Sequence, residues 1–210
     1  AVRLARAMLA TEAAYRRGPY RDHQDAIARA AAELSTRLVP REKEILRAIE
    51  ADMAVPGVGR TIVVTLVGDA PYPSAFAADD RGHVIASFVR VRGLVGTALI
   101  EAVLHEVLHA IDEITVRTPS ALNSLRDALA RRGLDPTDPN VEMAINTVTL
   151  AEAASLVRRF VDPAHRPTGE LGFYTLYPPA PAIVAAWDRH VAGEPLEETA
   201  DAIVEAVAAP

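Results

Sequence analysis

Hydrophobic and polar positions follow two rhythms along this 210-residue chain, one helical and one extended. Over residues 2–17, 21–38 and 41–53, Ala, Leu and Ile recur every three or four positions with Arg and Glu between them, a pattern that predicts three helices. Gly18-Pro19 and Pro40 punctuate them. Pro56-Gly57-Val58-Gly59 closes the helical stretch; no phosphate-loop sequence follows, so the glycine pair reads as a turn. The rhythm then changes. Residues 61–67, TIVVTLV, are short, apolar and β-branched, which predicts a strand. Residues 76–78 and 84–91 are two further strand candidates, with Asp79-Asp80-Arg81-Gly82 as the hairpin turn between them.

The helical rhythm returns at 97–114, TALIEAVLHEVLHAIDEI, which contains neither Pro nor Gly. Leu99, Val103, Ala110 and Ile114 recur at helical spacing, Thr97 can cap the start, and Gly96 breaks what precedes it. Further helices are predicted at 121–132, ended by Gly133, at 141–160 with Asn140 as cap, and at 181–192 and 196–208. Residues 162–181 are rich in proline but also hold Phe173, Tyr174, Leu176 and Tyr177, the content of an ordered loop rather than a linker. The expected class is α+β and mostly helical, with a small antiparallel sheet. The expected organisation is a helical N-terminal region at 1–55, a core at 56–161, and a Pro-rich loop with C-terminal helices at 162–210. All three pack as one compact unit.

Composition narrows the chemistry. Half of the chain is hydrophobic, enough for a substantial core. The net charge is −6, which argues against nucleic acid as the main partner. There is no cysteine, so disulfides, thiol catalysis and iron–sulfur clusters are excluded. Charged residues interrupt every apolar run before it reaches the length of a membrane span, so no transmembrane segment is expected. Ala1 in place of Met suits a mature form after signal removal or a trimmed chain; the reading leans to export, with the cytosol as the alternative.

Within the 97–114 helix lies His105-Glu106-Val107-Leu108-His109. Histidines four apart stand on one helix face, one turn above the other, where a single metal ion can take both. Two imidazoles and a carboxylate on a largely apolar helix also need partners, and a metal satisfies them together. Glu106 is then placed to take a proton from metal-activated water. A catalytic zinc site needs a third protein ligand. Glu152 is the leading candidate, because its helical neighbours Ile145, Val148 and Leu156 put it on an apolar face where an ionised carboxylate is costly without a partner. Glu142 and Asp112 are the alternatives. Glu142 lies near a helix start, where the macrodipole already stabilises it, about 80° around the wheel from Glu152. Asp112 shares a face with Glu101, His105 and His109, where a carboxylate can orient an imidazole through its other ring N–H.

These residues resemble the gluzincins, zinc metallopeptidases with H-E-x-x-H on one helix and a glutamate ligand on a later one. The match rests on His105, Glu106, His109 and Glu152, and on the order of strands, zinc helix and glutamate helix between residues 61 and 160. The resemblance implies a zincin-like core and Zn2+ held by His105, His109 and Glu152, with Glu106 as general base and a peptide or protein as substrate. It also makes residues 74–78 the edge strand against which an extended substrate lies. The tetrahedral oxyanion needs a further donor, for which Tyr174 is the first choice among Tyr174, Tyr177, His165 and His190. The expected activity is hydrolysis of peptide bonds. A zincin-fold binding or regulatory protein without turnover, and a zinc hydrolase of a non-peptide amide, are the alternatives.

Overall fold

The structure, a computed structural model, describes residue 12 and residues 16–55, 61–68, 75–80, 84–91, 93–115 and 119–209. Most of the helix expected at 2–17 and part of the turn expected at 79–82 lie outside them. The chain is mostly helical. Helices α1 (Pro19–Arg37) and α2 (Glu42–Asp52) come first, followed by strands β1 (Thr61–Val67), β2 (Ala75–Asp80) and β3 (Val84–Arg90). Then come α3 (Gly96–Thr115), α4 (Ala121–Arg131), α5 (Pro139–Phe160), a short α6 (Phe173–Leu176), α7 (Ala180–Val191) and α8 (Leu196–Ala208). No helix among the described residues is long and apolar enough to cross a membrane.

The sheet departs from the all-antiparallel expectation. Its order is β1-β3-β2. β2 and β3 pair antiparallel, as a short connection between consecutive strands requires, with Phe76 opposite Phe88. β1 instead runs parallel to β3, with Thr61 opposite Val84 and Val67 opposite Arg90. β2 has already reversed the chain once, so β3 points the same way as β1 when it inserts beside it. β3 is therefore central, and among the described residues β2 is an edge strand, the position expected for 75–78; residue 74 lies outside the described residues.

Helix α3 is the axis of the fold. It packs against α5 on one side and against all three strands on the other. Apolar residues occur almost all round it, the signature of a helix enclosed by its neighbours. Ile100 and Leu108 are wholly buried, and so is Glu101. The C-terminal helices complete the core, with Trp187 of α7 and Ile203 of α8 in the same hydrophobic cluster as Leu108.

Local chemistry sets the helix ends. Ser120 caps α4 by accepting a hydrogen bond from Asn123 N at 3.1 Å. α5 begins earlier than its pattern suggests, because Pro139 occupies the first turn and Asp138, not Asn140, is the cap. Asp138 Oδ1 accepts from Asn140 N at 2.8 Å. α4 ends before Gly133, whose φ of 82° lies in the left-handed region that favours glycine.

The 162–171 segment is tied to α3 through Glu101. His165 Nε2 lies 2.5 Å from Glu101 Oε2. Thr168 donates to the same carboxylate from its backbone N at 2.9 Å and from its Oγ1 at 2.6 Å. These bonds satisfy a carboxylate that would otherwise be very costly to bury. Because α3 is enclosed on all sides, Leu108→Ala should destabilise the protein by about 2–5 kcal/mol in urea denaturation. A loss below about 1 kcal/mol would mean that the surroundings collapse freely onto α3.

Candidate metal centre

α3 projects His105 and His109 from one face, and their Nε2 atoms lie 3.1 Å apart. The rings meet edge to face, with centroids 4.5 Å apart and planes at 87°. Two ligands of one tetrahedral cation with bonds of about 2.0–2.1 Å would stand roughly 3.3 Å apart, so the pair has the spacing of two ligand positions. Burial pushes His105 down to about 3, with His109 adding to the shift, and burial also lowers His109. Both imidazoles are therefore neutral near pH 7 and carry a lone pair that a cation can take. His105 Nδ1 is buried without a hydrogen-bond partner. Glu106 is buried too, and burial raises its carboxyl to about 7.

The third partner of the pair is a residue that the sequence pattern did not single out. Asn146 of α5 places Oδ1 3.1 Å from His109 Nε2. The signal available for it was an amide set among Ala144, Ile145 and Val148, one turn after Glu142. Glu142 acts on His109 as well, raising its proton affinity through space, after the larger effects of burial, Asn146, Asp112 and Arg126. Thr149, one turn further along α5, bears on His105 through its backbone. Of these α5 residues, Asn146 is the one with a side chain placed within hydrogen-bond distance of His109.

Glu152 stands elsewhere. Its Oε2 accepts from Trp187 Nε1 of α7 at 2.9 Å, while Oε1 is buried without a hydrogen-bond partner. Burial raises its carboxyl to about 8, and the nearby Asp52 at the end of α2 adds to the shift. Among the described residues, no three His, Cys, Asp or Glu side chains are grouped closely enough to hold a metal ion. His105 and His109 are brought together, and Glu152 is not brought to them. The helical offset explains this: the face of α5 that carries Glu152 packs on α2 and α7, not on α3.

Of the other candidates, Tyr177, His165, His190 and Asp112 have partners of their own. The hydroxyl of Tyr174 is buried without a hydrogen-bond partner, and its ring lies over Gly169, where an added Cβ would come within 2.3 Å of Tyr174 Cζ. Burial raises its proton affinity, and Glu101 is the next largest cause, so Tyr174 belongs to the Glu101 end of α3. Tyr177 donates to Asn140 O at 2.9 Å, and His165 pairs with Glu101. Both ring nitrogens of His190 face backbone oxygens, of Glu194 and Asp52, at 2.9 Å each. Asp112 is held by a two-point ion pair with Arg126, one arm of which is 2.8 Å long. It still bears on His109 electrostatically.

Comparison with protein-family models, with curated proteins and with solved structures gives no match.

The site yields a pH prediction for Glu152. Its carboxyl is held at about 8 in the folded protein, against an ordinary value of 4.5. The folded state then keeps a proton that the unfolded chain releases, so stability falls as pH rises between those two values and levels off above them. Glu152→Gln should remove this contribution, whose slope is at most about 1.4 kcal/mol per pH unit. Denaturant midpoints from pH 4 to 9 are the measurement; an unchanged slope in Glu152→Gln would assign the pH dependence to other groups.

Proposed function

We propose that this protein is a metal-dependent hydrolase of the H-E-x-x-H type, acting on peptide bonds. The observation that carries the reading is the convergence of two neutral imidazole nitrogens, 3.1 Å apart, on the helix turn that also carries Glu106. His105 and His109 hold the cation. The third protein ligand is left open between Glu152 and Glu142, since neither is grouped with the two histidines among the described residues. Zinc suits this set of nitrogen and carboxylate donors, and when bound it supplies Lewis-acid polarisation of a carbonyl and acidifies water.

The chain's own groups do the rest. Glu106 takes the proton of the attacking water and hands it to the leaving amine. β2 is an edge strand among the described residues, the position at which an extended peptide can add as a further strand. A small zincin-like core, with sheet, motif helix and a later acidic helix, is the architecture this reading implies. A second reading, a binding protein of the same architecture without turnover, draws on one observation. Of the residues considered as oxyanion donors, Tyr177, His165 and His190 are hydrogen-bonded elsewhere.

Metal analysis and a peptide-library assay decide between the two. The wild-type protein should contain stoichiometric zinc and cleave peptides. Glu106→Gln should keep the metal and lose roughly two to four orders of magnitude in turnover. Of Glu142→Ala and Glu152→Ala, each corrected for stability, the variant that loses most of the metal identifies the third ligand. Zinc in both wild type and Glu106→Gln without cleavage by either would favour the binding protein. No stoichiometric metal at all would end the hydrolase reading.

A further inference from the structure

Two apolar features of the surface answer each other in shape. The first is convex. Leu171 and Leu176 are 74% and 81% exposed, and neither belongs to the hydrophobic core. They sit on the segment between α5 and α7, which is held firm from beneath. His165 and Thr168 bond to Glu101, the Tyr174 ring lies on Gly169, and Tyr177 donates to Asn140 O at 2.9 Å. The two leucines therefore form a tip on a fixed support. The second feature is concave. α1, α2, β1 and α3 surround a groove of about 400 Å3, whose lining includes Leu38, Leu46, Ile49, Ile62, Val64 and Val107. Val39 also lines it and is exposed, and Glu42 is the one charged residue among those lining it. An apolar cavity of about 150 Å3 receives a benzene ring, so this groove has room for about two leucine side chains.

We infer that these features are the two halves of an interaction surface for a second copy of the chain: the Leu171–Leu176 tip of one copy inserts into the α1–α2–β1 groove of the next. Insertion removes apolar area from water on both sides, and a tip already held in place loses little freedom on docking. One copy does not fill its own groove. The tip is fastened at Glu101, which stands about 120° around α3 from Val107 in the groove. The two patches differ, so the contact is heterologous and leaves a free tip and a free groove at the ends of an assembly unless a ring closes. A lipid surface fits the tip less well. Arg166, beside the tip, is paired with Glu170, and the chain has a net charge of −6, so the second signal that stable anchoring to anionic lipid requires is lacking. The contact uses no residue of the histidine pair and is independent of the hydrolase reading.

Sedimentation velocity of the full chain over a range of concentrations tests this. The mass of wild type should rise with concentration. Leu171→Asp with Leu176→Asp removes the tip, and Val39→Asp with Leu46→Asp blocks the groove. Each double variant should stay monomeric with the circular dichroism spectrum of wild type. An equimolar mixture of the two should form a dimer and nothing larger, because it holds one intact tip and one intact groove per pair. If the groove variant loses its spectrum, Val39→Asp alone, at an exposed position, takes its place. A mixture of folded variants that stays monomeric would overturn the inference. So would a wild type that is monomeric up to about 1 mM. Vesicles of phosphatidylcholine and phosphatidylglycerol give the competing outcome. A monomeric wild type that binds them, with binding lost when the tip is removed, would overturn self-association and assign the tip to a membrane.

Discussion

Burying polar side chains along α3 is the constraint on which the rest of the structure depends. Glu101, Glu106 and Asp112 are all buried on a helix enclosed by neighbours, and two imidazoles lie between them. Such groups are stable in an interior only when something meets them. The surroundings of α3 can be read as the set of answers. His165 and Thr168 meet Glu101, Arg126 meets Asp112, and Asn146 meets His109. The loop after α5, the helix α4 and the face of α5 are each fastened to α3 by one of these bonds. What remains unanswered within this row is His105 Nδ1, buried without a hydrogen-bond partner.

α5 carries polar groups on two faces, and they serve different ends. One face bears Asn146 towards the histidines. The other bears Glu152 towards Trp187 and Asp52, where burial keeps its carboxyl largely protonated near neutral pH. A protonated carboxyl hydrogen-bonded to an indole is a tolerable core group, so Glu152 needs no cation to explain its burial. The apolar neighbours that made it look like a ligand are equally the mark of a side chain packed between three helices.

Much of the fold was legible in the pattern of the chain. The three strands, the long helix around His105 and His109, and the helices after it follow from hydrophobic period and from turn residues such as Gly133. Errors gathered where the period says nothing. The parallel pairing of β1 with β3 depends on which side of the hairpin β1 joins, a choice that alternation within one strand does not encode. The start of α5 moved because Pro139 fits a first helical turn as well as it fits a loop.

The centre divides in the same way. His105 and His109 lie four apart on a single helix, so the 3.6-residue period by itself determined that the two histidines share a face. The partners from α5 could not be read so. Whether residue 142, 146 or 152 meets α3 depends on the rotation of α5 about its axis. That rotation is set by how Trp187, Ile203 and the apolar residues of α2 pack around it. Helical period fixes neighbours within an element. Only packing between elements decided that Asn146, rather than Glu152, reaches the histidines.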